Sequence, residues 1–229
     1  MAKLGRWGSM IDSSVANEVG TLSVAATACL IAYVFLRKRR ILAEKTVAQR
    51  KAPPPVEPPA GWPEIPGMKC GNFVNPQGIR LTTFRFDAKS PKAAVILVHG
   101  VGTGCRYEFL RATHKGGPHT QYKDSLLDVL QRAGITCLTY DQQSHGNSDC
   151  LIPDTRCYFD RFDDLAHDLL KIHETFVTTL PPDTPVFWLG LSMGGGVVAR
   201  ASQLRLPTAP PLQGLILLAP MLSLTKVRA

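Results

Sequence analysis

The hydrophobic and polar positions divide the chain into three stretches. From Val19 to Leu36 run 18 residues without a charge (VGTLSVAATACLIAYVFL), followed directly by Arg37, Lys38, Arg39 and Arg40. A helix of that length is about 27 Å long, close to the roughly 30 Å hydrocarbon core of a bilayer. A secretory signal peptide has a short basic start and a small-residue cleavage site after the apolar run, whereas here four cations follow. The pattern predicts a transmembrane anchor over 19–36. More Lys and Arg stand after the span than before it, which places the C-terminal part in the cytosol. Between Ala52 and Pro66 stand seven prolines, which favour extended backbone and cannot continue a helix. The expected organisation is a tail over 1–18, the anchor over 19–36, a basic and Pro-rich linker over 37–66 and one domain over 67–229.

In that domain, strand-like apolar runs alternate with helical patterns, as in an α/β fold with a mostly parallel sheet. Strands are predicted at Arg80–Phe86, Ala93–Val98, Ile135–Tyr140, Val186–Leu189 and Leu215–Ala219. The last three are continuous apolar runs, which predicts cover on both faces. Tyr122–Ala133 is a predicted helix. Phe162, Leu165, Leu169, Ile172 and Phe176 recur at helical spacing, with Asp163, Asp164 and Asp168 assigned to the opposite, polar face.

The 229 residues, 45% of them hydrophobic, suit a globular protein with one sizeable core. The net charge of +8 suggests nucleic acid until it is located. Residues 1–60 hold nine basic and four acidic groups, leaving 17 against 14 in the remainder, with no basic cluster interleaved with aromatics. Nucleic acid is therefore not an expected partner. The six cysteines (29, 70, 105, 137, 150 and 157) have no C-x-x-C spacing, and a cytosolic domain argues for thiols over disulfides. His114 and His119, in the loop ATHKGGPHT, lack a third ligand, and no phosphate-binding glycine motif follows a strand. Neither a metal nor another cofactor is expected.

The candidate chemistry lies at Gly190-Leu191-Ser192-Met193-Gly194-Gly195-Gly196. This G-x-S-x-G follows a predicted strand and precedes the helix-capable VVARASQL. A serine in such a turn is held exposed above the sheet, and the next N–H, at the helix N-terminus, faces the reacting oxygen. His99-Gly100-Val101-Gly102 follows the strand AAVILV, where hydrolases of this architecture place the second oxyanion-hole N–H.

HGVGTGCRYEFL (His99–Leu110), YDQQSHGNS (Tyr140–Ser148), Phe162-Asp163-Asp164-Leu165, GLSMGG and GLILLAPM resemble, in order and spacing, the monoacylglycerol lipase and lysophospholipase-like α/β-hydrolases, a group also labelled serine aminopeptidase S33. The resemblance covers roughly Asn72 onward. It implies an α/β-hydrolase fold, Ser192 as nucleophile and the Val101 and Met193 N–H groups as oxyanion hole, with His99 structural. It also implies a lipid ester as substrate. Gln143-Ser144 depart from the family, which usually has Arg-Gly before His-Gly.

In this fold an acid and then a histidine follow the nucleophile, yet no His, Asp or Glu stands after Ser192. All six histidines precede it. His145 belongs to the family's turn motif, and His173 is expected on the exposed side of its helix, so neither is expected to replace the base. The chain is therefore expected to be the N-terminal part of a longer hydrolase, missing later strands, lid, acid and His. The alternative is a catalytically inactive, membrane-tethered protein with an interaction role.

Overall fold

The computed structural model describes residues 57–65 and 67–223. The tail, the predicted anchor and most of the linker lie outside the described residues. Among the described residues, no helix is long and apolar enough to cross a membrane.

Six strands form the main sheet: β1 (Met68–Val74), β2 (Arg80–Phe86), β3 (Ala93–Val98), β6 (Ile135–Tyr140), β7 (Val186–Leu191) and β8 (Gly214–Leu218). Their spatial order is β1-β2-β6-β3-β7-β8. The pairs β1/β2 and β2/β6 are antiparallel, while β6, β3, β7 and β8 run parallel. The expected mostly parallel sheet is thus present. A small hairpin, β4 (Arg111–Ala112) with β5 (His119–Gln121), frames the loop that carries His114 and His119. The helices are α1 (Cys105–Phe109), α2 (Leu126–Arg132), α3 (Phe162–Val177) and α4 (Met193–Leu204).

The local chemistry explains most boundaries. Asn75-Pro76-Gln77-Gly78 turns β1 into β2: Gly78 N–H donates to Asn75 O (2.8 Å), and Asn75 Oδ1 accepts from Ile79 N–H (2.8 Å). Helix α2 begins later than the predicted Tyr122 because Asp124 has a left-handed φ of 59° and Ser125 caps the helix, its Oγ accepting from Asp128 N–H. The core gathers Phe84, Phe86, Val95, Leu97, Phe109, Leu127 and Leu189.

Four expectations are corrected. Trp62 and Ile65, assigned to the linker, belong to the domain: Ile65 is buried and the Trp62 ring stacks on Phe84 with centroids 4.1 Å apart. Strand β8 is not covered on both faces; Leu215, Ile216, Leu217 and Leu218 are all exposed, and among the described strands β8 pairs only with β7. Asp168 is buried and not on the polar face of α3. It stands three residues after Leu165 and four before Ile172, which is the apolar stripe itself. His173, one residue after Ile172, is likewise buried instead of exposed.

Candidate active site

The site follows from strand order. After β3 the chain lays β6 on one side and β7 on the other, so the C-terminal ends of β3 and β7 flank a topological switch point, the place where open α/β sheets bind ligands. The two candidate loops emerge at those ends: His99–Gly102 after β3, and Ser192 after β7.

Ser192 joins β7 to α4 with φ 53° and ψ −117°. That conformation is strained for a residue with a Cβ, and the surroundings hold it in place. Ser192 N–H donates to Leu218 O (2.9 Å), while Ser192 O accepts from Gly195 N–H (3.0 Å) and Met221 N–H (2.8 Å). The flanking glycines are required by space. A Cβ on Gly190 would strike the Gly194 carbonyl, and one on Gly194 would strike the carbonyls of Val98 and His99. The elbow therefore packs directly on the end of β3. A methyl group built on Gly100 would stand 3.4 Å from Ser192 Cβ, so the two loops lie side by side.

Met193 is the first residue of α4, where a helix leaves its leading N–H groups without internal partners. Its side chain is buried, which fixes the turn. Val101 follows Gly100 and precedes Gly102, whose φ of 70° sharpens the bend; the Val101 side chain is exposed.

His99 is fully buried and acts as a brace. Its Nδ1 lies 2.7 Å from Gly100 O, its Nε2 accepts from Gln142 N–H (3.0 Å), and Gln142 Nε2 donates to His99 O (2.7 Å). With Nδ1 as donor and Nε2 as acceptor the ring is the neutral Nδ1–H tautomer, and burial pushes its pKa down to about 4. The His99–Gly102 loop is thereby tied to the turn after β6.

Asp141 secures the same turn. Its Oδ1 accepts from Cys105 N–H (2.8 Å) and its Oδ2 from Asn147 N–H (2.7 Å) and Asn147 Nδ2 (3.0 Å). A Cβ on Gly104 or Gly146 would run into this carboxylate. His99, Cys105 and Asp141 bring potential metal-ligating atoms within 4.8 Å of one another. Each is already engaged: Nε2 by Gln142, both carboxylate oxygens by N–H groups, and Cys105 Sγ by Thr139 Oγ1 at 2.9 Å. Burial also pushes the Cys105 thiol well up, away from the thiolate a metal takes. The trio is a structural brace.

Of the other histidines considered as bases, His173 has both ring nitrogens engaged, while His145 has one engaged and its Nε2 buried without a partner. His145 Nδ1 lies 2.9 Å from Gln143 O within its own turn. His173 Nδ1 accepts from Trp188 Nε1 (3.1 Å) and its Nε2 lies 3.3 Å from Pro210 O. Burial pushes both pKa values down.

Two site features escaped the sequence reading. The bracing by Asp141 and Gln142 is visible only once β6 is placed beside β3. The Glu108 carboxylate reaches back toward Gly100, although Glu108 lies in a segment already singled out for its resemblance to the family.

A mostly parallel sheet with a strained serine at the strand-to-helix turn beside its switch point defines an α/β-hydrolase. The serine aminopeptidase, S33 family matches residues 89–228, and the chain belongs to that family. It is 29% identical to monoglyceride lipase of Rattus norvegicus over 160 residues, covering 69% of this chain and 45% of that protein. The monoglyceride lipase of Mus musculus is 29% identical over 159 residues, with the same coverages. The chain thus spans about half the length of these curated relatives. Among solved structures, an esterase of Pyrococcus furiosus superposes with a TM-score of 0.49 at 19% identity, covering 67% of this chain and 49% of that one.

Proposed function

We propose that the protein is a serine hydrolase that cleaves carboxylic esters of lipids, of the monoacylglycerol or lysophospholipid type, through an acyl-enzyme on Ser192. The observation that carries this reading is the Ser192 backbone, φ 53° and ψ −117° between β7 and α4, held against the end of β3. Strain of that kind persists where the surroundings impose it, and it lifts the hydroxyl clear of the sheet. The similarity to the two monoglyceride lipases supports the choice of lipid esters.

In this reading Ser192 Oγ bonds to the ester carbonyl carbon as its proton passes to a base. The carbonyl oxygen, now negative, takes the N–H groups of Val101 and Met193, one from each loop. Collapse expels the alcohol, which takes up the proton, and water then releases the fatty acid from Ser192. No His, Asp or Glu follows Ser192 in these 229 residues. The base and its orienting acid are assigned to sequence beyond Ala229, in keeping with the greater length of the curated relatives. The apolar run over 19–36 tethers the domain to a membrane, with the domain on the cytosolic side, and so delivers it to lipid substrates.

A second reading is a tethered scaffold without catalysis, in which the turn at Ser192 serves packing alone. Hydrolysis of a fluorogenic monoacylglycerol by the protein in its own membranes separates the two. Wild type should release fatty acid and Ser192→Ala none above background. Equal release by the variant would remove Ser192 from the reaction, and release by neither would favour the scaffold.

A further inference from the structure

We propose that Glu108 is a specificity-determining residue of the Ser192 site, selecting esters whose leaving group offers neutral hydroxyls over esters carrying an anionic headgroup. The inference rests on the reading of Ser192 as nucleophile and narrows its substrate class.

Glu108 sits in α1, directly after the candidate oxyanion loop. Cys105 and Phe109 bury one side of this helix, and Cys105 N–H is anchored on Asp141, so the helix is fixed in place. Of its other long side chains, Arg106 donates to Gly61 O, and Tyr107 stacks its ring on His119 with centroids 4.2 Å apart. The Glu108 carboxylate has no hydrogen-bond or ion-pair partner among the described residues. It reaches back over Gly100. A methyl group on Gly100 would lie 3.4 Å from Ser192 Cβ and 3.6 Å from Glu108 Oε1, which holds that oxygen within about 7 Å of the nucleophile's Cβ. Glycine at position 100 leaves the space between them open.

An ester bound for attack by Ser192 places its alcohol portion within that radius. In a monoacylglycerol a free hydroxyl stands three bonds beyond the ester oxygen, close enough to donate to an unpaired carboxylate. A hydroxyl meeting Glu108 gains a charge-assisted hydrogen bond. A phosphate monoester or other anion in the same place meets a like charge. Even across a separation as long as about 7 Å, two unit charges repel enough for a discrimination of about threefold in a fully solvated setting and roughly fiftyfold in a partly buried one.

The test uses two fluorophosphonate probes of equal chain length, one bearing a glyceryl group and one a terminal phosphate monoester, reacted with the full chain in its own membranes at low salt. Wild type should label faster with the glyceryl probe. Glu108→Gln, which keeps size and hydrogen-bonding ability but removes the charge, should lower the glyceryl-to-phosphate rate ratio at least threefold, and Glu108→Lys should lower it further. Labelling that depends on Ser192 but keeps the wild-type ratio in both variants overturns the role of Glu108 alone. If neither probe labels Ser192, the nucleophile assignment fails and this inference fails with it.

Discussion

Replacing Asp168 by asparagine should stabilise the domain at neutral and alkaline pH, an unusual outcome for a buried polar position. Asp168 lies on the apolar stripe of α3, where its Oδ1 accepts from Asn75 Nδ2 (2.9 Å) and its Oδ2 from Gln143 Nε2 (3.4 Å). Both partners are neutral amides, and Asp164 adds a like charge on the same helix. Burial pushes the Asp168 pKa up from 3.8 to about 7. Below pH 3.8 the folded and unfolded chains are both protonated there and nothing is lost. Between pH 3.8 and about 7 the folded state holds the proton more tightly, so stability falls as pH rises through that window. At about 1.4 kcal/mol per unit, the full cost of ionising this carboxyl in place is on the order of 4 kcal/mol. Asparagine stays neutral and keeps the oxygen that accepts from Asn75. Its amide nitrogen faces Gln143, whose Oε1 is buried without a partner and meets it if the Gln143 amide is rotated. Urea unfolding of wild type and Asp168→Asn between pH 5 and 8 should show the variant gaining on wild type with each unit until about pH 7, to a difference of about 2–4 kcal/mol once rearrangement is discounted. Groups common to both proteins cancel in that difference. A variant less stable than wild type at pH 8, or a difference that does not change with pH, would refute the reasoning.

Gly194→Ala should disrupt the elbow, because its methyl would meet the carbonyls of Val98 and His99; a loss of about 3 kcal/mol or more is expected in thermal or urea unfolding. Trp62→Ala should cost about 2–3 kcal/mol by removing a half-buried ring stacked on Phe84, and a loss near zero would return residues 57–65 to the linker. His99, with a folded pKa depressed to about 4, contributes stability that is present above pH 6.5 and lost as pH falls toward 4. Its imidazole should therefore remain neutral at pH 5.5 by NMR, and an ordinary titration near 6.5 would contradict its role as a buried brace.

The central strands were legible because continuous Val, Ile and Leu runs bounded by turn residues have few other readings, and the elbow because strand, glycines and helix coincide in one short segment. The first strand was harder. MKCGNFV carries no clear alternation, and its signal lay in the Asn75-Pro76-Gln77-Gly78 turn that follows it. The polarity of Asp168 and His173 points outward, while their spacing from Leu165, Leu169 and Ile172 places them toward the core, and spacing prevails. Hydrogen bonds to distant elements make their burial tolerable: Asn75 and Gln143 for one, Trp188 and Pro210 for the other. Such partners are brought together by tertiary folding and leave no local signal. The same holds for the apposition of Gly100, Glu108 and Ser192, which depends on β3 and β7 being neighbours.

The most direct measurement of the central claim is site mapping of a fluorophosphonate adduct by mass spectrometry on the full-length protein isolated from its native cells. A single adduct on Ser192, absent after prior denaturation, is the predicted result. An adduct on another residue, or none on a folded protein whose sequence includes an acid and a histidine beyond Ala229, would contradict the assignment of Ser192 as nucleophile.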